Sequence, residues 1–293
     1  MGFDARTPVP TAFGWKPAAL IEPGDTVFSY DGQPTKVVSV QEYTPAACYK
    51  LWMPDDLTLV VDARTGLPTI THKQMEILRK WGRKEKRHKP MLIQPRGPQA
   101  LMEDERYKRL INCQPLQIPE RELPVDPFVI GQWIFDRSKN RRDRRYDITR
   151  QLIEKYPTIP QYIPEEYFFA SFEQRLNLVR GIFSNIGAFN PKDSTFSYYC
   201  RNYKMFRQVQ NIIESLGIAT KIRSYGRQQK YQLMFKTFLK LRDDQTSNGR
   251  EFYFEFRMVK RVEEVTPRKC TYIKTENPDN TVVVSEGYMP ICL

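Results

Sequence analysis

The side chains best equipped for chemistry in this sequence are cationic, and they gather in two runs. Seven of the twelve residues from Arg79 to Pro90 are Lys or Arg. Arg79, Lys80, Arg83, Lys84, Lys86 and Arg87 could grip a phosphate backbone while Trp81 stacks on a base, or the run could be a solvated loop. The second run, RSKNRRDRRYDITR, sets seven Lys or Arg against two Asp, too dense for burial. It offers Arg141, Arg142, Arg144 and Arg145 to nucleic acid or to an acidic protein neighbour. Asp136 precedes this run, beside Arg137. It is either a charge at a helix end or one carboxylate of a metal site, and a lone carboxylate holds magnesium poorly. The five cysteines, Cys48, Cys113, Cys200, Cys270 and Cys292, are far apart and lack CxxC spacing. They indicate neither a zinc site nor a disulfide framework, and read as buried thiols.

Two helices must position Asp136. In RLNLVRGIFSNIG, Arg175 to Gly187, the apolar residues Leu176, Val179, Ile182 and Phe183 follow helical spacing. Gly181 lies on the edge of that stripe, where a second backbone can come close. DPFVIGQWIFDRS, Asp126 to Ser138, repeats the order of parts around Gly131 and is the natural partner. Downstream, FSYYC reads as a strand, RNYKMFRQVQNIIESLG as an amphipathic helix closed by Gly217, and ATKIRSYG and KYQLMFKTFLKL as further strands. Residues 7 to 62 read as short strands broken by Pro and Gly, an all-β start, and LPTITH continues it. The 293 residues, 40% hydrophobic and 13% aromatic, suffice for one or two packed domains. Forty-six Lys and Arg against thirty-four Asp and Glu leave a net charge of +12, which favours an anionic partner. No apolar run reaches membrane-spanning length, and MGFDARTPVP lacks a signal-peptide hydrophobic region. The sequence therefore predicts a soluble, intracellular protein, with no membrane partner and no small-molecule substrate.

These motifs carry two resemblances. The glycine-centred stretches, with the lead-ins LPVDPFVIGQW and IPEEYFFASFEQRLNLVRGIF, resemble the LAGLIDADG motifs of homing endonucleases, most closely those inserted in phage-encoded inteins. The order strand, GWKP, PGDTVFSYDG, then T-x-x-H resembles the Hint fold of inteins and hedgehog autoprocessing domains, and CTYIKTENPDNTVVVSEGYMPICL resembles the closing intein segment. The implied fold is α+β: an all-β Hint domain formed by both chain ends, residues 1–105 and 245–293, with an α/β LAGLIDADG-like insert at 106–244. The first half of that insert is truncated. Only residues 137 to 172 follow the first motif, and they carry Pro157, Pro160 and Pro164 where strands would be needed.

The resemblance also assigns chemistry to positions. The Thr and His that polarise the scissile peptide fall at Thr69 and His72, and the alternative is ordinary strand hydrogen bonding. The first nucleophile falls at Gly2, or at Phe3 with a one-residue slip, and neither has a thiol or hydroxyl. The terminal His-Asn pair falls at Ile291 and Cys292, and the downstream acceptor at Leu293. The second metal-binding carboxylate falls at Ile186, with Ser184 at the earlier acidic position. The expectation is a free-standing, catalytically silent relative, reused as a structural or binding module of a phage virion or its assembly. No cofactor is expected, and magnesium only with residual nuclease activity. Its partners would be other phage structural proteins or nucleic acid. The alternatives are a DNA-binding protein, or an endonuclease using Asp136 with an unrecognised second carboxylate such as Asp193.

Overall fold

A computed structural model describes residues 1–76, 94–134, 162–225, 230–237, 239–242, 245 and 256–293. The fold is α+β, mostly sheet with few helices. The chain divides into two compact units, Met1–Leu116 with Gly249–Leu293, and Gln117–Asn248. The first unit runs past residue 105 because Arg109–Ile111 pairs with both Leu67–Thr69 and Phe256–Met258.

The first unit joins the two ends of the chain in a seven-stranded sheet. Its order is Arg261–Val265, Cys48–Trp52, Thr58–Asp62, Phe3–Asp4, Cys270–Thr275, Pro34–Tyr43 and Thr26–Phe28. Every pairing in it is antiparallel. The short strand Phe3–Asp4 is thus clasped between an early strand and a late one, with Phe3 opposite Val61 on one side and Thr271 on the other. Alternation buries Phe3, Leu51, Leu59, Val61 and Ile273 in one apolar cluster, joined by Val282, Val284 and Ile291 from the final hairpin. That hairpin, Thr281–Val284 with Met289–Cys292, is the closing segment read from the sequence.

The second unit is built on a helix pair and an antiparallel sheet. Pro127–Ile134 lies against Phe172–Asn185, and both glycines are at the contact. A Cβ on Gly181 would stand 2.1 Å from the Phe128 carbonyl oxygen, and one on Gly131 would stand 2.4 Å from that of Leu178. Only a residue without a side chain permits backbones this close. The second helix begins at Phe172, earlier than its apolar stripe. Ser171 caps it, accepting from the Gln174 amide while the Gln174 side chain returns to the Ser171 amide. The sheet order is Ala188–Asn190, Thr195–Cys200, Lys230–Lys236, Thr220–Tyr225. Its inner face packs Phe196 and Phe235 against Phe183 of the helix, with ring centroids 5.2 to 5.8 Å apart. The helix Tyr203–Ser215 closes the core with Phe206, Val209, Ile212 and Ile213, and Gly217 ends it at φ +74°.

Candidate functional site

In the first unit the antiparallel register brings Gly2 against residues 62 to 65. The Gly2 amide donates to Thr65 Oγ1 at 2.9 Å, and the Thr65 hydroxyl donates to the Gly2 carbonyl oxygen at 2.6 Å. The Asp62 amide donates to that same carbonyl at 2.9 Å. Thr65 is fully buried and Asp62 nearly so. The next residue holds the other end of the chain: Gly66 pairs with Cys292, with amide-to-carbonyl distances of 3.0 and 2.8 Å. Adjacent residues, Thr65 and Gly66, thereby clamp Gly2 and Cys292.

This geometry relocates one sequence expectation. The pair with T-x-x-H spacing that meets the first residue is Asp62 and Thr65, not Thr69 and His72. Thr69 is a buried strand residue opposite Leu110 and Gln94. His72 has a side chain 64% exposed and lies 3.8 Å from Glu76. The cause is local: the Gln74 side chain accepts from the Thr71 amide and hydroxyl, while Thr71 Oγ1 accepts from the Gln74 amide. That reciprocal cap starts a helix at His72 and turns the imidazole outward.

The electrostatics at Gly2 are set by Asp62. Burial opposes its ionisation, but hydrogen bonds from Arg64 and Tyr43 outweigh burial and hold the carboxyl well below its usual range. Tyr43 donates to Asp62 Oδ2 at 2.5 Å, and its hydroxyl occupies the space a side chain on residue 2 would need. A Cβ on Gly2 would stand 2.7 Å from that oxygen and 2.8 Å from the Thr271 carbonyl oxygen. Phe3 is wholly buried, so a one-residue slip presents no side chain either. At the other end, Ile291 is core and pairs with Val282, and burial, with Asp279 adding, pushes the Cys292 thiol up to about 11. Leu293 is tied to Asn280 through its amide and its carbonyl. Glycine, isoleucine, cysteine and leucine at these places supply no activated hydroxyl or thiol and no side-chain amide.

In the second unit, among the described residues, the paired helices are joined near their C-terminal ends by neutral groups. The Gln132 side-chain amide donates to Ser184 Oγ at 3.0 Å, and Ser184 donates to the Gly181 carbonyl at 2.8 Å. Ile186 is the cap residue after the helix, in extended conformation. Asp193 lies in the turn between two strands, exposed, and accepts from the Thr195 amide at 3.3 Å. No cluster of three or more His, Cys, Asp or Glu suited to a metal occurs among the described residues. Asp136, the run from Arg79 to Arg87 with Trp81, and Arg141, Arg142, Arg144 and Arg145 lie outside the described residues.

Sequence reasoning missed a second feature of this unit. Strand alternation and register place Lys221, Arg223, Lys230 and Lys236 on the outer sheet face, with Tyr199 and Tyr225. The three strands TFSYYC, TKIRSY and KYQLMFK contain no Asp or Glu. The Lys230 ammonium stands 4.4 Å from the Tyr199 ring centroid, and the Tyr225 hydroxyl donates to Gln232 at 2.9 Å. Alternating basic residues in TKIRSY and KYQLMFK were the available signal. The pairing that unites them was not.

No family model matches the chain. Its similarities run to two classes, inteins along nearly the whole length and a homing endonuclease along part of it. Among curated proteins it is similar to the replicative DNA helicase DnaB of Mycobacterium intracellulare, 25% identical over 240 residues. That match covers 72% of this chain and 42% of the helicase, so the chain spans less than half the length of that relative. Among solved structures it is similar to the MchDnaB-1 intein, with a TM-score of 0.37, 11% identity and 99% of each chain covered. The gp41-1 intein gives 28% identity and a TM-score of 0.22 over 23% of this chain and 52% of that one. I-DmoI in complex with DNA and Mn gives 12% identity and a TM-score of 0.26, over 39% of this chain and 89% of that one.

Proposed function

We propose that this chain is a non-splicing, non-cleaving module that binds nucleic acid through the outer sheet face of its second unit. The observation that carries the reading is the composition of that face: Lys221, Arg223, Lys230 and Lys236 on two paired strands, which together with the neighbouring strand Thr195–Cys200 contain no carboxylate. Four cations on a rigid sheet set a fixed pattern for phosphates, whereas a merely solvated face mixes signs. Gly2, enclosed by Tyr43 and Thr271, supports the absence of self-processing. Of the two partners left open by the sequence, nucleic acid is the one for which a face is at hand; no feature of the described residues singles out a virion neighbour.

The test replaces Lys221, Arg223, Lys230 and Lys236 with Ser together and measures retention on labelled nucleic acid. The parent should bind and lose roughly fifty- to a hundredfold in affinity between 50 and 200 mM salt, as expected for about four phosphate contacts. The variant should lose most of that binding. Unchanged retention in the variant would overturn the reading. In parallel, sequence fused to either end of the chain should remain attached, and a spliced product by mass spectrometry would overturn the non-splicing part.

A further inference from the structure

The outer face is not uniformly charged. Lys221 and Lys236 lie toward one end of the three strands, Tyr199, Gln232 and Arg223 share one row across them, and Lys230 and Tyr225 share the next row on that face. Register sets Tyr199, Lys230 and Tyr225 on a diagonal across the sheet. Tyr225 is directly opposite Lys230, and Tyr199 is opposite Gln232, two positions along from Lys230 on the same face. Both tyrosines are 40% exposed although they are large and amphipathic. The two outer strands are separated by two inter-strand spacings, about 9.5 Å.

From this arrangement we infer that the face takes single-stranded rather than duplex nucleic acid, with Tyr199 and Tyr225 as stacking platforms for unpaired bases and Lys230 as the phosphate contact between them. The inference rests on the nucleic-acid reading above and narrows its substrate class. A duplex hides the faces of its bases in its own stack and presents phosphates, so it can use the lysines but not the rings. An unpaired strand presents both base faces and phosphates, and every base has a face on which an aromatic ring can stack. The Lys230 ammonium lies over the Tyr199 ring, so a base stacking there displaces it from the ring onto the phosphate of the same nucleotide. The Tyr225 hydroxyl, donating to Gln232, holds its ring against the sheet and reduces the ordering needed on binding.

The experiment measures fluorescence anisotropy of the full chain with a fifteen-nucleotide oligo(dT), the matching oligo(rU), and a mixed-sequence duplex of about the same length. At one salt concentration, either or both single strands should bind at least about tenfold more tightly than the duplex, and the difference between the two distinguishes DNA from RNA as the natural source. Tyr199→Ala with Tyr225→Ala should cost the single strand on the order of a hundredfold, about tenfold per lost stack, while duplex affinity changes less than about threefold. Tyr199→Phe with Tyr225→Phe should restore most of the loss, because the rings and not the hydroxyls carry the contact. Duplex bound as tightly as both single strands, or a double alanine variant with unchanged affinity, would overturn the platform while leaving the basic face in place. Binding to none of the three probes would overturn both.

Discussion

Each unit contains a glycine contact too tight for any side chain, and the two differ in what surrounds the missing Cβ. At Gly181 and Gly131 the neighbours are backbone atoms of the facing helix, which cannot move without parting the pair. At Gly2 one neighbour is the Thr271 carbonyl oxygen, but the nearer one is the hydroxyl of Tyr43, the end of a side chain. The helix glycines are architecture. The glycine at position 2 leaves a space that a tyrosine, held by its aspartate, occupies. Hydrogen bonds from Thr65, Gly66 and Asp62 keep the junction in shape whether or not a reactive group is there.

The sharpest separation of the two comes from the helix pair. Gly181→Val should destabilise the second unit by about 3 kcal/mol or more, since the Phe128 carbonyl would have to retreat and the interface with it. Loss of the cooperative thermal transition, or a large fall in its midpoint, is the expected result. A variant as stable as the parent would mean that the helices part easily and that the glycines are not structural.

At the junction the effect should be smaller and partly reversible. Gly2→Cys is expected to cost about 1–3 kcal/mol by overpacking, and to give no self-processing. Adding Tyr43→Phe removes the hydroxyl and should recover part of the loss, though not all, because the Thr271 carbonyl stays. A double variant no better than Gly2→Cys alone would place the whole obstruction in the backbone and erase the distinction between the two contacts.

How much of this was legible depends on the range of the interaction. The helix pair was readable because a glycine on an apolar helical stripe is a local signal. The Ser171 and Gln174 cap was present in the sequence too, as S-x-x-Q, and it moves the helix start to Phe172. At the junction the motif spacing matches by residue type at Thr69 and His72, while the segment that meets Gly2 holds Asp62 and Thr65. Nothing local marks that pairing; it follows from Phe3 lying opposite Val61 across the sheet. The T-x-x-Q of Thr71 and Gln74 was the counter-signal, a helix cap overlapping the supposed strand. The acid-free face had a related limitation: its two basic strands are neighbours in the sequence, but Thr195–Cys200 with Tyr199 joins them only once the register across the sheet is known.

The smallest of the expected effects probes the filling of that space by titration. Asp62 is held below its usual range in the folded state and would titrate near 3.9 when unfolded. A depressed carboxyl contributes its full stability above the unfolded value and loses it as pH falls from about 4 toward the folded value. Asp62→Asn should therefore cost about 1–2 kcal/mol at neutral pH, with the gap from the parent narrowing below about pH 4 in urea unfolding. A gap independent of pH would show that Asp62 matters only for its shape, and that Tyr43 is not held by its charge.

The Tyr43 hydroxyl also bears on how such a chain can evolve. With the phenol in the place of a side chain at position 2, no single codon change returns a nucleophile without strain. A side chain there requires at least two substitutions to fit, and the change at Gly2 alone lowers stability. Neutral drift at Tyr43 is opposed in turn, because Asp62 would lose a buried donor. The side chain that fills the gap thus acts as a ratchet: once it has settled there, selection for folding alone opposes any side chain at position 2.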